Sequence, residues 1–227
     1  MVSAVWGAVV TLAGGIDVGT QLGPLSPYKE IWFLPLSLCV GTMGAMVVSI
    51  YLAKRRTVPS SDANGFWKLL GKAYDFRNLW PFVLLGLALG LGFVAFTEYG
   101  VLPPDDLPQP LFDAMISAPI PLQVGWALML IGLFPVVEEV LFRGFLFAGF
   151  SQSWGPGLAG LMTTMIFVGV HMPKVLEYWP ALLAVSSIGL LTVLLRIRTE
   201  SLAPGIALHS TYNGVLVTVA FLTQTTS

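Results

Sequence analysis

Residues 122–150 read LQVGWALMLIGLFPVVEEVLFRGFLFAGF and carry charge only at Glu138, Glu139 and Arg143. A stretch this long and apolar exceeds the roughly 20 residues that a helix needs to cross about 30 Å of hydrocarbon. Ionisable side chains at bilayer depth cost roughly 2.5–3.5 kcal/mol each on insertion scales, so they are rare and by default functional. The stretch therefore predicts a membrane-spanning helix that carries polar chemistry.

The rest of the chain has the same character, since 56% of its 227 residues are hydrophobic and only 10% are charged. Further apolar stretches of spanning length lie at 31–53, 79–97, 157–173, 180–196 and 203–222, and residues 1–18 are a candidate seventh span. Backbone groups in lipid must be hydrogen-bonded internally, and the long runs show no period-two alternation. We therefore predict an all-α polytopic transmembrane helical bundle of six to seven spans, forming one membrane domain over 1–227 with a polar intramembrane cavity.

Charge is distributed unevenly between the two longest polar connections. Residues 54–78 carry six basic and two acidic side chains, whereas 98–121 carry four acidic side chains and no basic one. By the positive-inside rule, 54–78 is a cytoplasmic basic loop and 98–121 faces the other side. Arg196 and Arg198 fall in a later connection that the same alternation places inside. Small size and the lack of a transit peptide favour a prokaryotic plasma membrane, with the endoplasmic-reticulum membrane as the alternative.

Charge and cysteine content narrow the expected partners. A net charge of −1 gives no indication of a nucleic-acid partner, and Cys39 is the single cysteine, so no intramolecular disulfide can form. The expected partner of such an apolar chain is the lipid bilayer.

The charged motif in 122–150 combines an ion pair with an additional acid. Glu139 and Arg143 are four residues apart, so on a helix they share a face and can neutralise each other. Glu138 is rotated by about 100° from Glu139, which leaves it able to point into a cavity and act as a base. The alternative is that all three charges form a packing triad or a helix-end cluster.

Two later apolar stretches repeat a four-residue spacing around a histidine. Phe167 lies four residues before His171, so its ring can pack beside the imidazole and orient it. His209 lies four residues before Asn213, which places an imidazole and a carboxamide on one face of the last helix. Alone, His171 could be an interfacial or core residue, and His209 with Asn213 could only join helices by hydrogen bonds. Because none of these groups suits a lipid-facing position, we expect them to converge on a shared interior.

The combined set supplies the groups that peptide hydrolysis needs: a carboxylate and an imidazole to activate water, and donors for the oxyanion. No serine lies in a nucleophile-elbow context, and Cys39 has no histidine near it in sequence. The chain also lacks an H-E-x-x-H motif. Zinc nevertheless remains an alternative, because Glu138, His171 and His209 together make a known type of ligand set.

The ordered motifs E-E-x-x-x-R, F-x-x-x-H and H-x-x-x-N resemble those of the CPBP family, which contains the CAAX-prenyl proteases and bacteriocin-processing enzymes. The resemblance covers a core over 122–222 and does not extend to residues 1–121. It implies that Glu138 and His171 activate the hydrolytic water and that His209 and Asn213 form the oxyanion hole. It also implies that Glu139 and Arg143 support the site.

The resemblance is compatible with a metal-dependent or a glutamate-type mechanism. We favour the metal-free mechanism, with no cofactor, because the chain has only two histidines and an amide partner suits oxyanion binding better than a closed metal shell.

The expected function is that of an intramembrane endopeptidase acting on a membrane-associated protein, and the resemblance suggests a prenylated C-terminal CaaX substrate as one candidate. The rival is a non-enzymatic scaffold or immunity protein whose polar residues form a structural network. A proton-coupled transporter ranks lowest, since no repeat symmetry or pair of broken helices is visible.

One topological expectation conflicts with a shared site. Counting 1.5 Å per residue from an inner helix start at 157 places His171 about 21 Å up, roughly 10–15 Å from Glu138 and His209. A strongly tilted or broken helix would be needed to close that gap.

Overall fold

The computed structural model describes Gly44 and residues 71–100, 118–175 and 178–224. The predicted span 1–18, the predicted span 31–53 apart from Gly44, Cys39 and most of both polar connections lie outside these described residues. The cytoplasmic placement of 54–78 and the count of six to seven spans therefore stay predictions.

The described residues are helical apart from short connections. In chain order the helices are α1 (Trp80–Tyr99), α2 (Ile120–Leu128), α3 (Phe134–Glu139), α4 (Phe147–Val175), α5 (Trp179–Thr199) and α6 (Ala203–Gln224). A 3-10 turn, Phe76–Asn78, precedes α1, and π-helical segments Met129–Leu133 and Val140–Leu146 flank α3. Within the described ranges, extended pairing is limited to one isolated bridge between Gly71 and Ser201. The predicted all-α class is confirmed for this part of the chain.

Four helical stretches of the described chain are long and apolar enough to cross a membrane: Phe76–Tyr99, Ile120–Met172, Trp179–Thr199 and Ala203–Thr223. The second has 53 residues, which would extend about 80 Å if straight. It breaks at Gly155, whose φ of 75° and ψ of 165° are not helical. The break separates the predicted stretches 122–150 and 157–173, so one helical run supplies both of them.

The first π segment explains why Pro135 does not end the helix that carries the glutamates. A proline inside a helix loses an N–H and clashes with the carbonyl four residues earlier, here that of Ile131. Ile131 lies inside the π segment Met129–Leu133, where the wider turn changes that spacing. Helix α3 therefore begins with Pro135 in its first turn and continues to Glu139.

Helix α1 packs closely on α6 through two buried glycines, Gly86 and Gly90. A Cβ atom at Gly86 would lie 2.5 Å from the Leu208 carbonyl oxygen, and one at Gly90 would lie 2.7 Å from Cβ of Val215. Small residues four apart allow this kind of close backbone approach between membrane helices. Because Leu208 precedes His209, this contact also fixes the position of a predicted site residue.

We predict that Gly86→Ala lowers the free energy of unfolding by about 1–3 kcal/mol, because the added methyl group must displace the α6 backbone. The matched control is Gly92→Ala on the same helix, where a Cβ would meet nothing within 4 Å. Thermal or denaturant unfolding in detergent micelles measures both variants. An equal loss in the two variants would show that the close approach does not matter.

Candidate active site

The two adjacent glutamates end the short helix α3, with a π-helical segment on each side. Such wide turns are rare and appear frequently at functional sites, where they re-aim side chains relative to regular α-helical spacing. Glu138 and Glu139 therefore occupy an irregular part of the membrane helix, at the centre of the region that the sequence singled out.

Glu139 is the centre of a sealed ionic cluster. Its Oε1 lies 3.2 Å from Nη1 of Arg143, and the two side chains are only 1% and 0% exposed. The same oxygen lies 3.2 Å from Nδ1 of His209, which is also buried. The Arg143 contact is a close ion pair without hydrogen-bond alignment. The predicted pairing of Glu139 with Arg143 is confirmed, and Glu139 additionally holds the second imidazole.

Arg143 extends the cluster to two further helices. Its Nη2 donates to the Gly189 carbonyl oxygen on α5 at 2.9 Å, and its guanidinium carbon lies 4.4 Å from the Phe167 ring centroid on α4. The second contact is a cation–π interaction within the usual range. A Cβ at Gly189 would lie 3.1 Å from the Phe167 ring, so the glycine allows this close packing.

Glu138 has a different environment from its neighbour. Its side chain is 18% exposed, and its Oε2 lies 3.8 Å from Nε2 of His209. That separation is longer than a hydrogen bond but short enough for one water or substrate oxygen to contact both groups. The adjacent acids thus have separate positions: Glu139 is sealed against an arginine, and Glu138 is partly accessible beside an imidazole.

His171 is held by Phe167, as the four-residue spacing predicts. The two ring centroids are 4.6 Å apart, and His171 Nδ1 lies 2.8 Å from the Phe167 carbonyl oxygen. The same phenyl ring lies 6.2 Å from the His209 ring. Both imidazoles therefore lie against Phe167, whereas residue counting placed His171 toward the other end of its helix. Counting assumed that this helix starts at the membrane surface at residue 157, but its start is set by the non-helical backbone at Gly155.

Asn213 is anchored to the first π segment. Its Nδ2 donates to the Leu130 carbonyl oxygen at 2.9 Å. A carboxamide has two N–H donors, so this bond uses one of them. Asn213 is half-buried, as are Glu138 and His171, whereas Glu139, Arg143 and His209 are buried. The predicted site residues therefore divide into an accessible group and a sealed group.

Residues 120–215 match a family model described as type II CAAX prenyl endopeptidase Rce1-like. This region belongs to the Rce1-like family. The match contains all seven predicted site residues, lies almost wholly within the predicted core 122–222, and confirms the CPBP resemblance. No curated protein and no solved structure gives a significant match to the chain. The match and the apolar helices together support an integral membrane protein whose residues 120–215 match a peptidase family.

A metal site in the Rce1-like region would require several donor side chains that lie close together. Among the residues that the structure describes, no three His, Cys, Asp or Glu side chains are grouped closely enough to hold an ion. Glu138, His171 and His209 thus do not form a three-ligand set in this arrangement.

Sequence reasoning missed two contributors to the Rce1-like site. A Cβ at Gly205 would lie 3.3 Å from Oε2 of Glu139, so this glycine lets the start of α6 approach the buried carboxylate. Arg196, used above only as an orientation marker, is buried and donates from Nε to the Arg143 carbonyl oxygen at 3.2 Å. A basic residue near a helix end is usually solvated, so no local pattern distinguished it from Arg198.

We predict that Glu139→Gln lowers the free energy of unfolding by about 3–5 kcal/mol, because it leaves the Arg143 guanidinium buried without its counter-charge. Glu138→Gln is the matched control, since it makes the same chemical change one residue away in a partly exposed side chain. We expect a much smaller loss from it. Unfolding in detergent micelles measures both, and equal losses would contradict the assignment of Glu139 as the sealed partner.

Proposed function

We propose that this protein is an intramembrane endopeptidase that hydrolyses a peptide bond of a membrane-associated protein with a water activated by Glu138 and His171. The observation that carries the proposal is the approach of the accessible Glu138 carboxylate to His209, beside the phenyl ring that also holds His171. The Rce1-like family of this region adds peptide hydrolysis as the reaction class.

Water activation is the proposed role of Glu138 and His171. The Phe167 carbonyl oxygen can only accept a hydrogen bond, so His171 Nδ1 carries the proton in their 2.8 Å contact. In a neutral imidazole the lone pair is then on Nε2, which can accept a proton from water. The Glu138 carboxylate is a second base of the same kind, and such general bases typically contribute about 10²–10⁴-fold to the rate.

Oxyanion stabilisation is the proposed role of His209 and Asn213. Glu139 accepts from His209 Nδ1, so Nε2 can donate to an oxyanion only when the ring is an imidazolium. The carboxylates of Glu138 and Glu139, on either side of the ring, supply the compensating negative charge. The second N–H of Asn213 is the other proposed donor. Glu139 and Arg143 then act by orienting His209 rather than by contacting the substrate.

The rival scaffold function would require a sealed polar network. Glu139, Arg143 and His209 alone meet that description. Glu138, His171 and Asn213 do not, since each keeps part of its surface exposed. Hydrolysis needs groups that a substrate can reach, so this partly exposed group favours the enzyme over the scaffold.

For the substrate, we propose a membrane-associated protein, with a prenylated C-terminal CaaX sequence as one candidate that the family description suggests. For the location, we propose a prokaryotic plasma membrane. We place residues 54–78 on the cytoplasmic side because that segment is basic.

We predict that Glu138→Ala and His171→Ala each reduce cleavage by about 10²–10⁴-fold while the protein remains folded, because each removes a base. The assay is mass-spectrometric detection of cleavage in proteoliposomes, with a farnesylated CaaX peptide and its unprenylated counterpart. Glu98→Gln, which alters an exposed carboxylate on α1, is the control and should cleave like the wild type. Wild-type rates in either alanine variant would exclude the assigned mechanism.

We predict that cleavage survives treatment with a strong metal chelator, because the proposed mechanism uses only side chains of this chain. The measurement combines elemental analysis of the purified, detergent-solubilised protein with the same cleavage assay. About one bound zinc per chain, with activity lost on its removal and restored on its return, would overturn the metal-free mechanism.

A further inference from the structure

Arg196 links the π segment that contains Arg143 to the connection between α5 and α6. Its side chain lies in the last turn of α5 and is 9% exposed. Nε donates to the Arg143 carbonyl oxygen at 3.2 Å, and Nη1 donates to the Glu200 carbonyl oxygen at 2.5 Å. One guanidinium therefore binds the π segment of the charged motif and the connection between α5 and α6.

The α5–α6 connection is shaped around these bonds. Glu200 has a φ of 55°, a left-handed conformation that ends α5, and its carbonyl oxygen also accepts from the Lys72 amide at 2.7 Å. Gly71 forms an antiparallel bridge with Ser201, and Lys72 Nζ lies 2.5 Å from Oε2 of Glu200. The hydrogen bond from Lys72 lowers the pKa of the Glu200 carboxyl below its ordinary value. The connection is thus held between Arg196 and the segment that precedes α1.

The same connection leads directly into the helix that carries His209. Oγ of Ser201 accepts from the Ala203 amide at 3.3 Å, and the Ile206 amide donates to the Leu202 carbonyl oxygen at 2.9 Å. From that start α6 is regular, so the position of the connection determines where His209 lies. Arg143, whose backbone Arg196 binds, has its own side chain against Glu139.

We propose that Arg196 is a positioning residue that sets His209 against Glu139 by linking the Arg143 backbone to the α5–α6 connection. This inference rests on the proposed function for its effect on the rate. These two bonds of Arg196 are to backbone carbonyl oxygens, so its loss should move the imidazole without removing any group that performs chemistry. A displacement of about 1 Å can cost about 100-fold in rate.

The geometry also explains why an arginine is suited to this position. The two carbonyl oxygens belong to Arg143 and Glu200, and the planar guanidinium presents separate donors to both at once. A lysine has a single ammonium at the end of a flexible stem and holds two separated acceptors less well. The conservative Arg196→Lys change should therefore restore only part of the function.

The test uses the two histidines of the full-length protein as reporters. With ¹⁵N-labelled histidine, NMR in micelles shows the signals of two imidazole rings. The His171→Gln variant lacks one of the two sets, which assigns the remaining set to His209. We expect Arg196→Met to shift or remove the His209 Nδ1–H signal that reflects its bond to Glu139. We expect it also to lower kcat for the peptide that the wild type cleaves by about 10- to 100-fold with little change in KM. Arg196→Lys should be intermediate.

Arg198→Met is the matched control, because it removes an exposed cation from the same helix two residues later. It should leave both the NMR signal and kcat as in the wild type. An unchanged His209 signal in Arg196→Met, or an equal change in Arg198→Met, would overturn the positioning role. If the wild type cleaves no peptide but Arg196→Met still moves the His209 signal, the proposed function fails and the positioning role stands.

Gly71→Ala tests the same link if Arg196→Met does not fold. A Cβ at Gly71, where φ is 76°, would collide with Nη1 of Arg196 and with the Glu200 carbonyl oxygen. We expect it to shift the His209 signal, with Gly92→Ala as the glycine control in open space. A wild-type signal in Gly71→Ala would count against the link from Arg196 to His209.

Discussion

The arrangement of the site depends on one buried carboxylate oxygen, Oε1 of Glu139, which contacts both Arg143 and His209. A lone carboxylate or guanidinium would be costly at this depth, and the two together are tolerable only when each has the other. The arginine in turn needs a hydrogen-bond acceptor and an aromatic face, which Gly189 and Phe167 supply from two further helices. The need to neutralise one charge therefore brings four helices to one place.

The same constraint separates two carboxylates that are adjacent in sequence. Glu139 is fully engaged by buried partners, and so it can orient an imidazole but has little access to solvent. Glu138 projects differently and keeps part of its surface exposed, with its Oε2 3.8 Å from the other ring nitrogen of His209. A buried acid and a partly exposed acid can thus come from one dipeptide, because a helix turns by about 100° per residue.

Departures from regular helix geometry let the polar groups meet. Wide π turns flank α3, and the first of them provides the Leu130 carbonyl oxygen that Asn213 binds. Glycines at positions 86, 189 and 205 remove side chains where a backbone, a ring or a carboxylate must approach closely. In a membrane, where apolar burial between helices gives little net driving force, such close contacts and buried hydrogen bonds carry much of the association.

The sequence by itself determined the membrane class, the helical fold of the described region and the residues in which polarity is concentrated. Long apolar stretches and the expense of ionisable groups in lipid require no knowledge of packing. It also determined the local pairs Glu139–Arg143 and Phe167–His171, because helical spacing is a property of the chain over a few residues. Only the tertiary structure decided that His209, 70 residues from Glu139, shares its carboxylate and that Arg196 is buried beside Arg143. Those contacts depend on how wide turns, a helix break and close glycine contacts orient whole helices, which no local pattern encodes.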